Sequence, residues 1–349
     1  MMNNLTSLSS RKILVAVSGS IAAVKAPILV SRLVKAGAEV KCVITQSAAK
    51  LVSPLSLSTL SRHKCYQDKD QWEDSQDKPL HIALAEWAEL IVVAPMSATS
   101  LSKFTYGNAD GLLASILLAA QSQIVIAAAM NTSMWSNQSV RKNWDFTNKI
   151  DQVISLEPCE GLLACDRVGD GKMVNLDMIE LACESAFIFR KENKYLTKDF
   201  KNSRFLISAG PTVEDLDAAR QLTNRSSGRM GVLIAQAAKL RGAEVDLVHG
   251  PLRVQKELLE GLNTYSVKNS KEMGEKINEL QPFAEVIVMA AAVSDFKKNT
   301  STKKKIPKEI FQKSLVNQIE MTPDILKNQT KIKLATQIFL GFAAETGSD

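Results

Sequence analysis

The sequence predicts an α/β protein with two parallel sheets, one in each half of the chain. Apolar runs of strand length alternate with runs whose apolar residues recur at helical spacing, as in successive βαβ units. Two segments also echo one another, RLVKAGAEVKCVIT (32–45) and KLRGAEVDLVHG (239–250). Each segment ends a helix with basic residues and glycine and then enters an apolar strand. Basic residues and glycine are common at helix C-termini in general. The echo therefore predicts two α/β layers and not a shared activity.

Length and charge pattern predict two domains. The chain has 349 residues, enough for two buried cores. Apolar periodicity is lost in the charged segment Arg190–Arg204, so we expect domains at 1–190 and 191–349. The alternative is an exposed helix inside one domain.

Composition excludes several classes of protein. The net charge is +6, and basic residues are dispersed apart from Lys303–Lys305 and Lys308, so no nucleic-acid partner is expected. Five cysteines without a CxxC pair, and three histidines, predict no metal site and reduced thiols in the cytoplasm. No apolar run reaches the ~18 residues that span a bilayer, and no secretory leader is recognised.

In the first half, strands and helices alternate from the amino terminus. We predict strands at Ile13–Val17, Ala38–Thr45, Leu90–Ala94 and Ile124–Ala129, and helices at Ile21–Lys35, Leu80–Trp87 and Asp110–Ala120. Glu160–Met173 contains three glycines among polar residues and is predicted to be a mobile flap.

Hydroxyl side chains follow the predicted strands of this half, where open α/β sheets bind ligands. They are Ser18, Ser20, Thr45, Ser97 and Ser100. Together they suit a phosphate and a polyol, and Gly19-Ser20 before a helix suits the single phosphate of a mononucleotide. Each alone is more simply explained as a helix cap. Neither GxxxxGK[ST] nor a full GxGxxG occurs, which argues against a P-loop ATPase or an ordinary dinucleotide dehydrogenase.

Two side chains of this half suit proton transfer. His81 lies on a helix that begins near the predicted cleft, and its pKa range suits transfer near neutrality, although a lone helical histidine is often structural. Cys165 lies in the glycine-rich flap, where a thiol acid is one interpretation and an inert small hydrophobe the other.

The segment Arg204–Gly231 dominates the second half. A strand at Phe205–Ile207 stops at Ala209-Gly210-Pro211-Thr212, a helix is predicted at Val213–Leu222, and a second helix at Val232–Leu240. The intervening loop predicts an anion site at a helix N-terminus, or alternatively a capped solvated loop. Its donors and charges are Asn224, Arg225, Ser226, Ser227, Gly228 and Arg229.

The rest of the second half supplies further loops at strand ends. We predict strands at Val286–Ala292 and Ile338–Gly341, and a short helix opened by Thr322–Leu326. Asp295 and Lys305 flank a lysine-rich loop that could neutralise phosphates, although lysine runs usually form a solvated face.

Several motifs together resemble one family, the bifunctional phosphopantothenoylcysteine decarboxylase/phosphopantothenate–cysteine ligases of coenzyme A biosynthesis (CoaBC or Dfp). The first-half motifs are SGSIAAVK (18–25), HIAL (81–84), APMSATS (94–100), AAAMN (127–131) and GLLACDRVGDGKM (161–173). The second-half motifs are SAGPTVEDLDAARQLTNRSSGRMG (208–231), RGAEVDLVHGP (241–251), MAAAVSDF (289–296), KIPK (305–308), PDIL (323–326) and GFAAET (341–346). The second set is specific to the family, and the first is shared with other flavin mononucleotide decarboxylases. The resemblance implies two Rossmann-like domains, a flavodoxin-like FMN domain followed by a parallel-sheet ligase domain.

For the first half, the resemblance implies FMN-dependent oxidation of the cysteine moiety, loss of CO₂ and reduction to 4'-phosphopantetheine. By match of motif, His81 assists decarboxylation, Asn131 holds the substrate carboxylate and Cys165 donates a proton. The implied FMN ligands are Gly19, Ser20, Ile21, Thr45, Ser97, Ser100 and Met130.

For the second half, the resemblance implies ligation of 4'-phosphopantothenate to cysteine, with CTP and Mg²⁺, through an acyl-cytidylate that Asn224 positions. The implied CTP-binding residues are Met289, Ala290, Ala291, Asp295, Lys305, Asp324, Ile325, Leu326, Lys327 and Phe342. No protein metal ligand is assigned. Trimeric FMN domains and dimeric ligase domains are implied in one homo-oligomer.

The chain departs from the family pattern at Thr99, Asp166 and Pro307, which bears on substrate contacts, flap closure and the lysine motif. Family members continue past GFAAET with a helix whose lysines reach the nucleotide, so we expect the ligase half to be incomplete at its C-terminus. This leaves two alternatives to the bifunctional enzyme. One is a decarboxylase with an inactive ligase half, and the other is a non-enzymatic FMN-binding regulatory subunit.

Overall fold

The computed structural model describes residues 7–73, 78–162, 168–188, 195–196, 198–299, 304–311 and 318–343. The backbone divides into two compact units, Met1–Thr197 and Lys198–Asp349. The division lies inside the charged segment Arg190–Arg204 of the sequence. Each unit contains one parallel sheet.

Six parallel strands form the sheet of the first unit, in the order β3-β2-β1-β4-β5-β6. They are β1 (Lys12–Val17), β2 (Glu39–Ile44), β3 (Cys65–Tyr66), β4 (Leu90–Met96), β5 (Gln123–Ala128) and β6 (Val153–Leu156). The order reverses at β1, which pairs with β2 on one side and β4 on the other. A crevice therefore opens at the carboxyl ends of these strands, which is where doubly wound sheets bind ligands.

Nine helices are described in this unit. They are α1 (Ala26–Lys35), α2 (Gln46–Ala49), α3 (Pro54–Ser61), α4 (Leu80–Trp87), α5 (Ala98–Thr105), α6 (Leu112–Ala119), α7 (Thr132–Trp135), α8 (Gln138–Thr147) and α9 (Leu176–Ile188). The helix predicted at Ile21–Lys35 begins with a 3₁₀ turn, Ile21–Lys25. All seven residues of β4 are buried, as expected for a parallel strand covered on both faces.

The predicted flap has a regular stem. Its two sides, β7 (Cys159–Leu162) and β8 (Val168–Lys172), form an antiparallel pair. Residues 163–167, with Cys165 and Asp166, lie outside the described residues.

A buried serine ties β1 to β4. The Ser18 hydroxyl donates to the Pro95 carbonyl at 2.8 Å and accepts from the Ser97 backbone N–H at 2.8 Å. Ser18 is completely buried, so its hydroxyl is a structural link. The prediction that Ser18 contributes to a phosphate site is wrong, because both of these partners are protein backbone.

The second unit repeats the topology of the first. Its parallel sheet has the order β13-β12-β9-β14-β17. The strands are β9 (Arg204–Ala209), β12 (Glu244–His249), β13 (Asn263–Ser266), β14 (Val286–Met289) and β17 (Ile338–Gly341), and the helices are α10 (Arg229–Leu240), α11 (Ser270–Leu280) and α12 (Ile325–Lys331). The first strand again lies between the second and the fourth. The prediction that each half begins its own parallel sheet is confirmed.

The helix predicted at Val213–Leu222 is wrong, because that segment is a hairpin of β10 (Val213–Asp215) and β11 (Gln221–Thr223). The Asp217 carboxylate accepts from the backbone N–H groups of Ala219 and Arg220, both at 2.8 Å, and so closes the turn. A side chain that bonds to nearby backbone in this way competes with helix formation. A second antiparallel pair, β15 (Phe296–Lys298) with β16 (Ile319–Met321), was not predicted.

The strand predicted at Val286–Ala292 ends at Met289. Beyond that point the Ala291 N–H donates to the Ser208 hydroxyl at 3.2 Å, and the Ala292 N–H donates to the Gly210 carbonyl at 2.9 Å. The Ala291 bond goes to a side chain, whereas Ala292 forms an isolated parallel bridge with Pro211, so the pairing is interrupted after Met289 and resumes at Ala292.

Substitution of Gly231 by alanine is expected to destabilise the second unit by about 1–3 kcal/mol, since the helix must shift off the strand. A Cβ there would lie 2.7 Å from Ala209 Cβ and 2.9 Å from the Ser208 carbonyl oxygen. Gly274→Ala, in α11, is the matched control, because its Cβ would meet nothing closer than 3.8 Å. We expect that variant to gain about 0.5–1 kcal/mol from helix propensity. Urea-dependent hydrogen exchange of the β9 amides measures both; equal effects would contradict the close approach.

Ser18→Ala is expected to lower the free energy of unfolding of the first unit by about 1–3 kcal/mol, because the Ser97 N–H loses its partner and the Pro95 carbonyl keeps only the Ser18 N–H. Ser56→Ala is the control, since the Ser56 hydroxyl donates to the Ser53 carbonyl at an exposed position. Hydrogen exchange of the β1 and β4 amides reports the difference. A Ser18 variant as stable as the control would show that the link contributes nothing.

Candidate functional site

Two cavities of ligand size lie at the carboxyl ends of β1, β2, β4 and β5. The larger measures about 710 Å³ and the smaller about 510 Å³. Gly19, Ser97 and Thr99 line both. Because the two cavities share these lining residues, they lie next to each other, and together they form the candidate site of this unit.

The larger cavity collects most of the hydroxyls predicted from the sequence. It is lined by Gly19, Thr45, Ser97 and Ser100, together with His81. Thr45 Oγ1 accepts from the Ala48 N–H at 3.3 Å and Ser97 Oγ from the Ser100 N–H at 3.3 Å. Both side chains are therefore helix caps that also line the cavity, so the capping interpretation is confirmed and the ligand-binding interpretation stays a prediction.

Position 19 requires glycine because no space is left for a side chain. A Cβ at Gly19 would lie 2.6 Å from Ser47 Cβ, closer than real contacts allow. The loops after β1 and β2 thus approach each other at this point. Such a backbone-lined pocket beside hydroxyl groups fits a phosphate-bearing cofactor.

The smaller cavity contains the other predicted first-half residues. Ser20, Ile21, Met130 and Asn131 line it. Asn131 Oδ1 accepts from the Ser133 N–H at 2.9 Å, which caps α7 and sets the orientation of the amide.

The stem of the flap forms one wall of the smaller cavity. The Met130 N–H donates to the Gly171 carbonyl at 3.0 Å, and a Cβ at Gly171 would lie 2.2 Å from the Met130 carbonyl oxygen. This close contact holds the stem beside Asn131, and Gly171, Lys172 and Met173 line the cavity.

Sequence reasoning missed the rim of the larger cavity. Asp68 Oδ1 accepts from the Leu112 N–H at 2.7 Å, which satisfies the start of α6 and fixes the 3₁₀ turn Asp68–Trp72 at the mouth. Lys103 donates to Asp110 at 2.7 Å on the same rim. The Asp68 contact has no local signal, because it joins segments 44 residues apart, whereas Lys103 and Asp110 are only seven residues apart.

The cysteines in the described part of the chain are unsuited to proton transfer. Cys42, Cys65, Cys159 and Cys183 are buried and unbridged. Burial raises the pKa of Cys42 and of Cys65 to about 12, and it raises the pKa of Cys183 as well. A thiol whose pKa is raised in this way stays protonated and unreactive at neutral pH.

In the second unit, Asn224 lies against the exit of β14. Its amide nitrogen donates to the Val293 carbonyl at 2.9 Å and to the Ala292 carbonyl at 3.4 Å. The predicted nucleotide residues Met289, Ala290 and Ala291 directly precede these carbonyls. Asn224 and this backbone segment therefore lie side by side.

Other predicted nucleotide residues gather at the same end of the sheet. The Thr322 N–H donates to the Asp295 carbonyl at 2.9 Å, and the Phe342 N–H donates to the Met289 carbonyl at 3.2 Å. Asp324 caps α12, because its Oδ1 accepts from the Lys327 N–H at 2.9 Å. Ile325 is buried in the core beneath, so its side chain serves packing, whereas the Leu326 side chain is partly exposed.

The predicted anion loop largely satisfies itself. The Ser226 hydroxyl accepts from the Gly228 N–H at 3.2 Å, and the Ser227 hydroxyl accepts from the Arg229 N–H at 3.3 Å. Gly228 has φ 74° and precedes α10, and a Cβ there would lie 2.2 Å from Leu252 Cδ2. Each serine hydroxyl therefore bonds to the N–H two residues on within the loop, and α10 begins after Gly228 without a side-chain cap.

Lys305 is exposed, and its neighbour Ile306 is held by the hairpin turn. The Ile306 N–H donates to Asp217 Oδ2 at 3.1 Å. Burial opposes ionisation of Asp217, but hydrogen bonds from Ala219, Ile306 and Arg220 outweigh it and lower the pKa of the carboxyl.

Two kinds of feature are absent from the described residues. No group of three or more His, Cys, Asp or Glu converges as a metal site would. No helix there is long and apolar enough to cross a membrane.

Comparison with known proteins identifies relatives of both units. Residues 1–185 match the family described as Flavoprotein, and residues 200–349 match the DNA/pantothenate metabolism flavoprotein C-terminal domain. Coenzyme A biosynthesis bifunctional protein CoaBC of Bacillus subtilis is 37% identical over 340 residues, which are 97% of this chain and 81% of the relative. The protein of the same name from Borreliella burgdorferi is 34% identical over 341 residues, 97% of this chain and 84% of its own.

Among solved structures, a PPC decarboxylase mutant complexed with pantothenoylaminoethenethiol is 32% identical, with a TM-score of 0.46. It covers 49% of this chain and 94% of its own length. The two family matches and the near-complete alignments with the curated relatives show that the chain belongs to the CoaBC family of bifunctional coenzyme A biosynthesis proteins.

Proposed function

We propose that the chain catalyses two consecutive reactions of coenzyme A biosynthesis, one in each unit. The second unit joins 4'-phosphopantothenate to cysteine, and the first decarboxylates the product to 4'-phosphopantetheine. The observation that carries this proposal is the alignment of 97% of the chain with bifunctional CoaBC relatives. The cavities of the first unit and the gathered loops of the second are consistent with it.

We propose that FMN is the flavin of the first unit. The residues assigned to it are Gly19, Ser20, Ile21, Thr45, Ser97, Ser100 and Met130, all of which line one or both cavities. When bound, the flavin supplies two-electron oxidation and reduction at the cysteine-derived carbons. The glycine at 19 and the capping hydroxyls present N–H and O–H donors to a phosphate.

His81 and Asn131 are assigned to the substrate. Asn131 holds the carboxylate that is lost, since an amide N–H donates to a carboxylate without adding charge. His81 is assigned to assist decarboxylation from the larger cavity, which its side chain lines. Cys165 is assigned as the proton donor; it is the fifth cysteine, and the four described ones are buried.

In the second unit, CTP with Mg²⁺ activates the carboxylate of 4'-phosphopantothenate as an acyl-cytidylate, and the cysteine amine then displaces CMP. Activation replaces a poor leaving group by a good one. Holding the acyl-cytidylate and cysteine together supplies the remaining rate enhancement. Asn224 positions the acyl-cytidylate. The CTP contacts are assigned to Met289, Ala290, Ala291, Asp295, Lys305, Asp324, Ile325, Leu326, Lys327 and Phe342, and Mg²⁺ arrives with the triphosphate.

We propose a cytoplasmic homo-oligomer with trimeric FMN domains and dimeric ligase domains. Ile21, Val24 and Ile28 are each more than half exposed at helical spacing beside the smaller cavity. An apolar row of this kind supports a subunit contact close to the flavin site.

The purified chain is expected to be yellow and to bind FMN, with flavin absorbance near ~450 nm. Gly19→Ala is expected to weaken FMN binding at least about tenfold, because the loops after β1 and β2 must separate to admit a Cβ. The matched control is Gly19→Ala with Ser47→Gly, which removes the atom that the new Cβ would strike. Fluorescence titration with FMN measures all three proteins. A colourless chain that takes up no FMN would overturn the flavin proposal.

The full chain is expected to release pyrophosphate from CTP only when 4'-phosphopantothenate and Mg²⁺ are present. Omission of cysteine should leave a single turnover, because the acyl-cytidylate has no acceptor. Asn224→Leu is expected to lower the rate at least about a hundredfold by loss of positioning. A folded, yellow protein that releases no pyrophosphate would restrict the function to the decarboxylase.

A further inference from the structure

One buried carboxylate holds the segment that carries Lys305. Asp217 Oδ2 accepts from the Ile306 N–H at 3.1 Å, and Oδ1 accepts from the N–H groups of Ala219 and Arg220 at 2.8 Å. The Asp217 side chain has no solvent exposure. These bonds use both carboxylate oxygens, so the position of the carboxylate is well determined.

Arg220 completes the hold on Ile306. Its guanidinium pairs with Asp217 at 3.0 Å, donates to the Ile306 carbonyl at 3.3 Å and lies 3.8 Å from the centre of the Phe311 ring. Both backbone polar groups of Ile306 are therefore bonded to the hairpin turn. Ile306 itself is buried, whereas Lys305 beside it is exposed.

The same hairpin leads directly to Asn224. Strand β11 ends at Thr223, whose hydroxyl donates to the Thr212 carbonyl at 2.8 Å, and Asn224 follows on the backbone of Val293. On the other side of the turn, Lys298 donates to the Leu216 carbonyl at 3.2 Å. This bond connects β15, which directly follows Asp295, to the hairpin. The hairpin thus connects three residues assigned to the ligase reaction.

We propose that Asp217 is a positioning residue of the ligase, which fixes the backbone beside Lys305 so that its ammonium group meets the triphosphate of CTP. The inference rests on the proposed function, because Lys305 is assigned to CTP there. Asp217 acts through the backbone, because its side chain is fully buried and its bonds go to protein groups. A lysine side chain has four rotatable bonds, so anchoring its own backbone removes much of the freedom that binding would otherwise have to restrict.

The test compares Asp217→Asn with Asp215→Asn in the full chain. Asparagine keeps the shape but loses the charge that pairs with Arg220, and we expect the KM for CTP to rise about tenfold with a smaller change in kcat. Asp215 lies on the same hairpin in an exposed pair with Lys268. Its variant is expected to stay within about twofold of the parent, as surface pairs contribute little.

The double variant Asp217→Asn with Lys305→Met separates the positioning role of Asp217 from the assignment of Lys305 to CTP. If Asp217 acts through Lys305, Asp217→Asn adds no further increase in KM once Lys305→Met is present. An unchanged KM in Asp217→Asn, alongside an impaired Lys305→Met, overturns the inference and leaves the proposed function intact. An unchanged KM in Lys305→Met removes the assignment of Lys305 and the inference with it.

Hydrogen exchange provides a readout independent of activity. In Asp217→Asn, exchange at the Ile306 amide is expected to accelerate while the β9 amides keep their protection. If that variant fails to fold, Arg220→Lys replaces it, since lysine keeps the charge but not the planar contacts with Ile306 and Phe311. Unaltered exchange at Ile306 in the folded variant would also overturn the inference.

Discussion

Two buried serine hydroxyls, one in each unit, join the first strand of the sheet to the loop that leaves the fourth. Ser18 bonds to the backbone of Pro95 and Ser97, and Ser208 accepts from the Ala291 N–H. Both lie where the strand order reverses and the loops diverge, and both add a side-chain bond to a backbone bond, from Ser18 N–H to the Pro95 carbonyl and from Ala292 N–H to the Gly210 carbonyl. The candidate sites of both units depend on this constraint, because their residues lie on the loops that it holds.

The strands and the edge of the sheet that forms the first site could be predicted from sequence. Parallel strands buried on both faces appear as continuous apolar runs, and their carboxyl ends must meet at one edge. Thr45 and Ser97 were placed correctly for this reason. The rim could not be predicted, because Asp68 reaches the start of α6 across 44 residues of sequence. Ser18 was placed at the right edge but given the wrong role, since only the structure shows its burial.

The hairpin β10–β11 shows where local pattern fails. Val213–Leu222 has acids at Glu214, Asp215 and Asp217, which favour the first turn of a helix when neighbours alone are counted. Distant partners decide otherwise: Glu214 accepts from the Ser270 N–H at 2.8 Å, and the Val213 N–H donates to the Lys268 carbonyl at 2.8 Å. A helix would leave these groups unpaired, so tertiary bonds outweigh the weak intrinsic preference. This hairpin, which the local pattern predicts to be a helix, leads directly to Asn224, and its turn bonds to Ile306 beside Lys305.

The Asp217–Arg220 pair is better understood as a device for geometry than as a source of stability. Desolvating a carboxylate offsets much of the attraction to its partner, so a buried pair adds little net stability. Three backbone N–H groups on the carboxylate, however, allow only one arrangement of the turn and of Ile306. An apolar pair of similar volume would fill the space without specifying that arrangement. The Lys305 side chain is flexible, so fixing its backbone improves the placement of its ammonium group at the triphosphate more than additional packing would. Placement matters because a displacement of about 1 Å strongly weakens catalysis.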